Sequence, residues 1–136
     1  MWIASQAGEF CCGASAMVGC LGTYTVVRDT SAAAAAQGVT VHLVSTGGVK
    51  GGGYPGVPVG EDYLLDADRE INAMNDHFVR SVARGRGLDE EECRALFTGQ
   101  CWPGEEAVSL GLVDRTGTYD DLLAAARASA ATAALR

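Results

Sequence analysis

Positive charge is scarce in this sequence of 136 residues, which carries 10 Lys and Arg against 17 Asp and Glu. The formal net charge is −7 and the sequence pI is about 4.6. Proteins that bind nucleic acid usually present a basic surface to the phosphates, so this balance argues against a nucleic-acid partner. Long apolar runs are also missing, because none approaches the roughly 18 residues of a membrane-spanning helix. We therefore expect no membrane span in this chain.

Metal-binding spacings are absent as well. His42 and His77 lie far apart, and the cysteines form no C-x-x-C pair, so we expect neither a zinc site nor another cofactor. An odd cysteine count in a chain of this size favours reduced thiols. The stretch Met1–Cys20 contains Glu9 and lacks the basic start of a signal peptide, so we expect a cytoplasmic location. The five cysteines are Cys11, Cys12, Cys20, Cys93 and Cys101.

Charge nearly disappears from the centre of the chain. Lys50 is the only formally charged residue between Thr30 and Gly60, although 20% of the whole chain is charged. It lies in the stretch VSTGGVKGGGYPGVP, between glycines. An apolar, glycine-walled site would disfavour the ammonium form, and a neutral lysine can act as a general base. The alternative is a flexible loop with one solvated lysine.

Short strand and helix patterns alternate along the chain, which favours one α/β domain over residues 1–136. The β-branched stretches Leu21–Val27 and Val39–Val44 predict strands. Apolar residues at three- and four-residue spacing predict a helix over Glu61–Ala83 with one apolar face. That stripe contains Leu64, Ala67, Ile71, Met74, Phe78 and Val82. Further predictions are a strand at Phe10–Cys12, a helix over Ala32–Ala36 capped by Thr30 or Ser31, and helices over Asp89–Phe97, Pro103–Gly111 and Tyr119–Ala131.

Three segments together resemble the signal peptide peptidase A (protease IV) family of serine–lysine peptidases. They are WIASQAGEFCCGASAMVGCLGTYTVV, GVTVHLVSTGGVKGGGYPG and ALFTGQCWPGEEAVSLGLVDRTGTYDDLL. Their order and spacing over nearly the whole chain carry the resemblance, and some phage head-maturation peptidases are similar in the same way. The resemblance implies a Clp-protease/crotonase-like superhelix of stacked βα units. It also implies a peptide or protein substrate and a homo-oligomer.

The resemblance assigns roles to particular residues. Lys50 stands where the family has the general base that takes a proton from the serine nucleophile. Gly19, Cys20 and Gly22 stand in the family's G-S-[I/L]-G motif, whose serine hydroxyl orients that lysine. A thiol is a weaker hydrogen-bond partner than a hydroxyl, so Cys20 would hold the lysine less firmly. The alternative is that Cys20 packs into the core.

The resemblance also places the nucleophile outside this chain. The family's serine begins an S-[A/G]-[A/G]-Y-[Y/W] motif, and Met1 and Trp2 align with its last two positions. The serine and the strands that supply the oxyanion hole would therefore precede Met1, so we expect this chain alone to be inactive. Ser5 aligns with a non-catalytic serine, and Ser45 is predicted to be a loop hydroxyl bonded to backbone.

Two functions of other classes stay open. One is a non-catalytic assembly fragment, and the other is a crotonase-type acyl-CoA enzyme, because the A-x-x-x-G-L-V-D segment also recurs there. The glycine-rich stretch around Lys50 favours the peptidase over the acyl-CoA enzyme. Structural roles are predicted for the remaining candidates: small buried side chains at Cys11 and Cys12, a core-edge or interface position for His42, a solvated flank for His77 and a packing anchor at Trp102.

Overall fold

The computed structural model describes residues 1–133, which divide into two units. The terminal unit contains Met1–Gly22 and the described residues from His77 onwards, and the central unit contains Thr23–Asp76. Both helices and strands are present, as the sequence predicts. The elements are β1 (Cys11–Cys12), β2 (Met17–Gly19), α1 (Ser31–Ala36), α2 (Glu61–Arg86), α3 (Glu90–Ala95), β3 (Cys101–Pro103), α4 (Gly104–Ser109), β4 (Arg115–Thr116) and α5 (Tyr119–Ala133).

All four strands belong to the terminal unit and form two small sheets. Strand β1 pairs parallel with β4, and β2 pairs antiparallel with β3. Apolar side chains from the strands and helices meet in a buried core, on which Trp102 packs as predicted. Stacked and edge-on aromatic pairs join Phe78 to Trp2 and to Phe97, with ring centroids 4.8 and 4.9 Å apart. The buried core residues are Val18, Leu21, Val79, Val82, Ala83, Cys93, Ala107, Leu112 and Val113.

Helix α2 is three residues longer than predicted at its C-terminal end. Gly85 lies inside the helix. A Cβ there would collide with the Ser5 carbonyl, so glycine permits the close packing of the helix on Ser5. The helix ends before Gly87, whose φ of +66° suits a left-handed cap. The Leu88 amide then donates to the Ala83 carbonyl at 2.9 Å.

The apolar stripe of α2 is only partly a core face. Val82 is fully buried, but Leu64 and Met74 are 48% and 58% exposed. The prediction of one continuous core face is therefore wrong for the N-terminal half of the helix. The central unit contains no strand, so no sheet covers that half within the described residues.

The two predicted central strands are wrong. Residues 23–27 and Val39–Val44 are irregular, and Val26 and Val44 are 65% and 94% exposed. A β-branched sequence becomes a strand only when a neighbouring chain accepts its backbone hydrogen bonds. No residue of the central unit supplies such a ladder. The remaining predicted strand is found as β1, two residues long.

Helix starts were predicted better than helix ends. Asp89 caps α3 as expected, because its carboxylate accepts from the amides of Glu91 and Glu92, but α3 stops at Ala95 and not at Phe97. Helix α4 begins one residue after Pro103, which belongs to β3. The cap predicted for α1 is wrong: Thr30 makes no side-chain cap, and Asp29 accepts from the amide and hydroxyl of Ser31 at 2.8 and 2.6 Å.

Candidate functional site

Lys50 lies in three successive β-turns that we call the lysine loop, residues 49–57. The amides of Gly52, Tyr54 and Val57 donate to the carbonyls three residues earlier, at 3.1, 3.2 and 3.0 Å. The third position of each turn is glycine with a positive φ: +88° at Gly51, +74° at Gly53 and +84° at Gly56. Type II turns require that conformation at that position. The loop is therefore a defined series of turns, and the exposure of Lys50 agrees with the solvated lysine of the alternative interpretation.

Close packing also explains these glycines. A Cβ at Gly51 would lie 2.7 Å from the Leu43 side chain. A Cβ at Gly52 would overlap the ring of Tyr63, and one at Gly53 would lie 3.2 Å from the Tyr63 hydroxyl. Real Cβ atoms essentially never approach within 3.0 Å of another heavy atom, so alanine at position 51 or 52 would displace a neighbour.

Two residues ahead of α1 fasten the far end of the lysine loop. Thr30 Oγ1 accepts from the Gly56 amide at 2.8 Å, and Asp29 Oδ2 accepts from the Val59 amide at 3.0 Å. The Ser31 hydroxyl and then the Val59 amide hold the pKa of the Asp29 carboxyl below its usual value. Sequence reasoning missed both anchors because they lie some two dozen residues or more from their partners.

Lys50 itself occupies the second position of the first turn and is exposed. It lines an open groove of about 390 Å³ together with Leu43, Val44, Ser45, Thr46 and Gly51. Within residues 1–133 the structure shows no ion pair to Lys50. The burial that would desolvate the amine is not provided by the described residues. One nearby carboxylate was not expected: an Asp62 oxygen lies 3.8 Å from where a Gly48 Cβ would stand.

The motif around Cys20 continues the pairing of β2 with the chain that precedes β3. The Cys20 amide donates to the Gln100 carbonyl at 2.7 Å, and the Leu21 carbonyl accepts from the Gly99 amide at 2.9 Å. Leu21 is fully buried, which anchors this segment in the core. Gly19 and Gly22 have φ values of +142° and +135°. A Cβ at Gly19 would collide with the Gln100 carbonyl, so glycine is required there.

Cys20 adopts a left-handed conformation with φ of +51°, the only positive φ outside glycine in the described chain. Such a conformation costs a non-glycine residue about 1–2 kcal/mol. Cys20 is exposed, so the alternative that it packs into the core is wrong. Strained residues concentrate at functional sites, which is consistent with a role for this position. Cys20 belongs to the terminal unit and Lys50 to the central unit, and a contact between them stays a prediction.

The two alternative serines have structural roles. Ser5 is fully buried, and its hydroxyl donates to the Trp2 carbonyl at 2.8 Å and accepts from Gln6. Ser45 lines the Lys50 groove, but its hydroxyl donates to the Gly47 carbonyl at 2.8 Å, as predicted. In both serines the hydroxyl donates its hydrogen bond to a backbone carbonyl and not to a base, so neither is activated as a nucleophile within the described residues.

The remaining candidates also have structural explanations. Cys11 and Cys12 are half-buried in β1, less buried than predicted, and desolvation raises the pKa of the Cys12 thiol. Burial likewise raises the pKa of Cys93. His77 is exposed as predicted, and His42 is exposed instead of lying at a core edge. Residues 1–133 contain no group of three potential metal ligands. No helix among them is long and apolar enough to cross a membrane.

Comparison with known proteins assigns this chain to a family of peptidases. A sequence model of peptidase family S49 matches residues 1–133, and the chain belongs to that family. The resemblance to the signal peptide peptidase A family is thereby confirmed.

The relatives that match this chain are much longer proteins. A Synechocystis sp. protein named as a protease is 38% identical over 54% of this chain and 28% of its own length. An Enterococcus faecium protein with signal peptide peptidase SppA in its name is 31% identical over 63% of this chain and 25% of its own. Protease 4 of Haemophilus influenzae is 28% identical over 88% of this chain and 19% of its own length. The chain therefore spans about a fifth to a quarter of these relatives.

Proposed function

We propose that residues 1–136 form the C-terminal part of one serine peptidase domain, in which Lys50 is the general base of a serine–lysine dyad. The observation that carries the proposal is the ordered lysine loop, which presents an unpaired amine at the edge of an open groove. Membership of peptidase family S49 supports the peptidase class. The Clp-protease/crotonase-like superhelix and the similarity to phage peptidases belong to the same proposal, as does the cytoplasmic location.

The reaction follows from the chemistry of a neutral amine. Lys50 Nζ takes the proton of a serine hydroxyl while that oxygen attacks the peptide carbonyl. The resulting tetrahedral oxyanion is stabilised by backbone amides, and the ammonium then donates its proton to the leaving amine. We propose that the serine and the oxyanion donors come from the protein that precedes the segment described here. Chain or subunits outside residues 1–133 would also cover Lys50, which is exposed here.

A comparison of two proteins tests the proposal. The 136-residue chain alone is expected to show no turnover of casein or of a signal peptide, because the nucleophile and the oxyanion donors supply most of the rate in such enzymes. A longer version containing the upstream serine is expected to cleave both. Turnover by the 136-residue chain that disappears in Lys50→Ala would contradict the proposed location of the serine and would revive Ser45, which lines the same groove.

Self-association is a second expectation, and it also bears on the alternative of a non-catalytic assembly fragment. The irregular segments of the central unit expose Val26 and Val44 together with backbone that has no sheet partner. Uncovered edges and apolar surface favour pairing between copies. We expect light scattering to show dimers or larger species at micromolar concentration, and Val44→Lys to raise the monomer fraction. A monodisperse monomer would contradict the expectation.

Cys20→Ser is expected to raise kcat/KM several-fold in the longer protein. The substitution replaces a weak sulfur partner by a hydroxyl that can bond the lysine amine. One such hydrogen bond contributes on the order of 1 kcal/mol, which corresponds to a several-fold change in rate. Because Cys20 is exposed, Tm is expected to stay unchanged. An equal or lower kcat/KM at unchanged Tm would show that position 20 does not orient the lysine.

A further inference from the structure

Tyr63 packs against the lysine loop. Its ring atoms Cγ, Cδ2 and Cε2 occupy the space that a Gly52 Cβ would need, and its hydroxyl lies over Gly53. Tyr63 is half-buried in the first turn of α2, directly after Glu61 and Asp62. The ring therefore connects a long helix to the two residues that follow Gly51 in the loop.

We propose that Tyr63 is a positioning residue for Lys50, an inference that rests on the proposed function. Leu43 packs on Gly51, and Tyr63 packs on Gly52 and Gly53. These contacts fix the backbone that immediately follows Lys50. Because glycines 51–53 have no side chains, they leave room for Leu43 and Tyr63 to pack directly on the backbone.

The loop depends on such contacts because its own hydrogen bonds are few. Between Val49 and Val57 the backbone makes three turn bonds, each of one amide to one carbonyl. Glycine gains more conformational freedom than other residues when packing is lost, so three glycines in a row would move readily without the ring. A displacement of a catalytic group by about 1 Å can cost a hundredfold in rate. Tyr63 thus acts on kcat through the position of the amine.

Variants at position 63 in the longer, active protein test this role. Tyr63→Ala is expected to lower kcat by about a hundredfold, with KM changed no more than about threefold, because orientation and not substrate binding is lost. Tyr63→Phe keeps the ring and is expected to retain at least about half of kcat. Tyr24→Ala is the matched control, since Tyr24 belongs to the same unit and is 84% exposed. It is expected to leave kcat unchanged.

A second variant covers the case in which Tyr63→Ala does not fold. Gly52→Ala keeps the tyrosine but displaces its ring, and it is expected to lower kcat in the same way. Unchanged kcat in a folded Tyr63→Ala or Gly52→Ala protein would overturn the inference. So would equal losses in Tyr63→Phe and Tyr63→Ala, because the ring contact would then be irrelevant.

The same experiment separates this inference from the proposed function. Lys50→Met is measured beside the position 63 variants. If Lys50→Met is inactive and Tyr63→Ala is fully active, the positioning role fails while the lysine base survives. If Lys50→Met is active, the base assignment fails, and with it the positioning role, whatever Tyr63→Ala does.

Discussion

Replacing Lys50 by methionine in the longer protein is expected to lower kcat/KM for a peptide by about a thousandfold or more. A positioned general base contributes roughly a hundred- to ten-thousandfold to the rate of proton transfer reactions. Methionine has a similar length and no basic nitrogen. Methionine leaves no charge to be desolvated in a covered site, and Lys50 shows no ion pair within residues 1–133 that the substitution would break, so Tm is expected not to fall. Steady-state kinetics and thermal unfolding of both proteins check these two expectations.

Lys50→Arg is the informative companion variant. Arginine keeps the positive charge but does not lose its proton in a protein, so it cannot act as a base. If Lys50 acts as the base, the arginine variant is as inactive as the methionine variant. If the residue served only to attract or bind the substrate, the arginine variant would keep much of its activity. An active Lys50→Met protein would refute the dyad assignment altogether.

Chemical modification offers an independent measurement. Lys50 is the only lysine in the sequence, so an amine-directed reagent labels one side chain and the chain terminus. Mass spectrometry can therefore compare how fast Lys50 reacts in the 136-residue chain and in the longer protein. A lysine that the rest of the enzyme covers is expected to react more slowly in the longer protein, because the reagent reaches it less easily.

The sequence predicted the local features of the fold better than the tertiary ones. Asp89 was recognised as a helix cap and Glu61 as a helix start, because both signals act within one turn of helix. The strands at 21–27 and Val39–Val44 were not found, because a strand exists only where another chain segment pairs with it. β-branched residues indicate a preference for pairing as a strand, and the central unit does not supply a second strand as the partner.

At the candidate site, too, local features were predicted and tertiary contacts were not. The position of Lys50 beside a glycine run was visible in the sequence, but the contacts of Tyr63 and Asp29 with the loop were not. Both lie at least ten residues from the part of the loop or adjoining chain that they hold, and neither carries a local motif. The three consecutive glycines were the available signal, since a glycine run beside a functional residue indicates close approach of another group. The identity of that group required the structure.

Asp114→Asn is expected to destabilise the terminal unit by about 2–3 kcal/mol, because an amide accepts at only one atom and carries no charge to neutralise the buried Arg86 guanidinium. The Asp114 carboxylate receives two hydrogen bonds from the Arg86 guanidinium and one from the Phe10 amide. The Arg86 side chain is only 6% exposed, whereas that of Asp114 is 40% exposed. Arg86 keeps its 3.1 Å bond to the Gly111 carbonyl in the variant, which limits the loss. Tm is expected to fall by about 10 °C.

The pH dependence of that effect identifies its cause. The hydrogen bonds from Arg86 and then from Phe10 hold the pKa of Asp114 below its usual value in the folded state. A lowered folded pKa means that the carboxylate stabilises the fold fully above its unfolded pKa of about 3.9, and that this stabilisation is lost as the pH falls through the folded value. The difference in stability between the parent and Asp114→Asn is therefore expected to be constant at neutral pH and to shrink below about pH 4. A difference that stays constant down to acid pH would show that packing, and not charge, is responsible.

Asp66→Asn is the matched control for Asp114→Asn. Asp66 also pairs with an arginine, at 2.7 Å, but its partner Arg69 is 68% exposed and lies three residues away on the same helix. Solvent screens an exposed pair of this kind, so its removal is expected to leave the free energy of unfolding nearly unchanged. The two substitutions remove the same charge from the same residue type. Net charge changes equally in both variants. A large effect at position 114 and a small one at position 66 would therefore assign the stabilisation to the neutralisation of the buried Arg86 guanidinium by Asp114, the ion pair that the structure shows for Arg86 within residues 1–133.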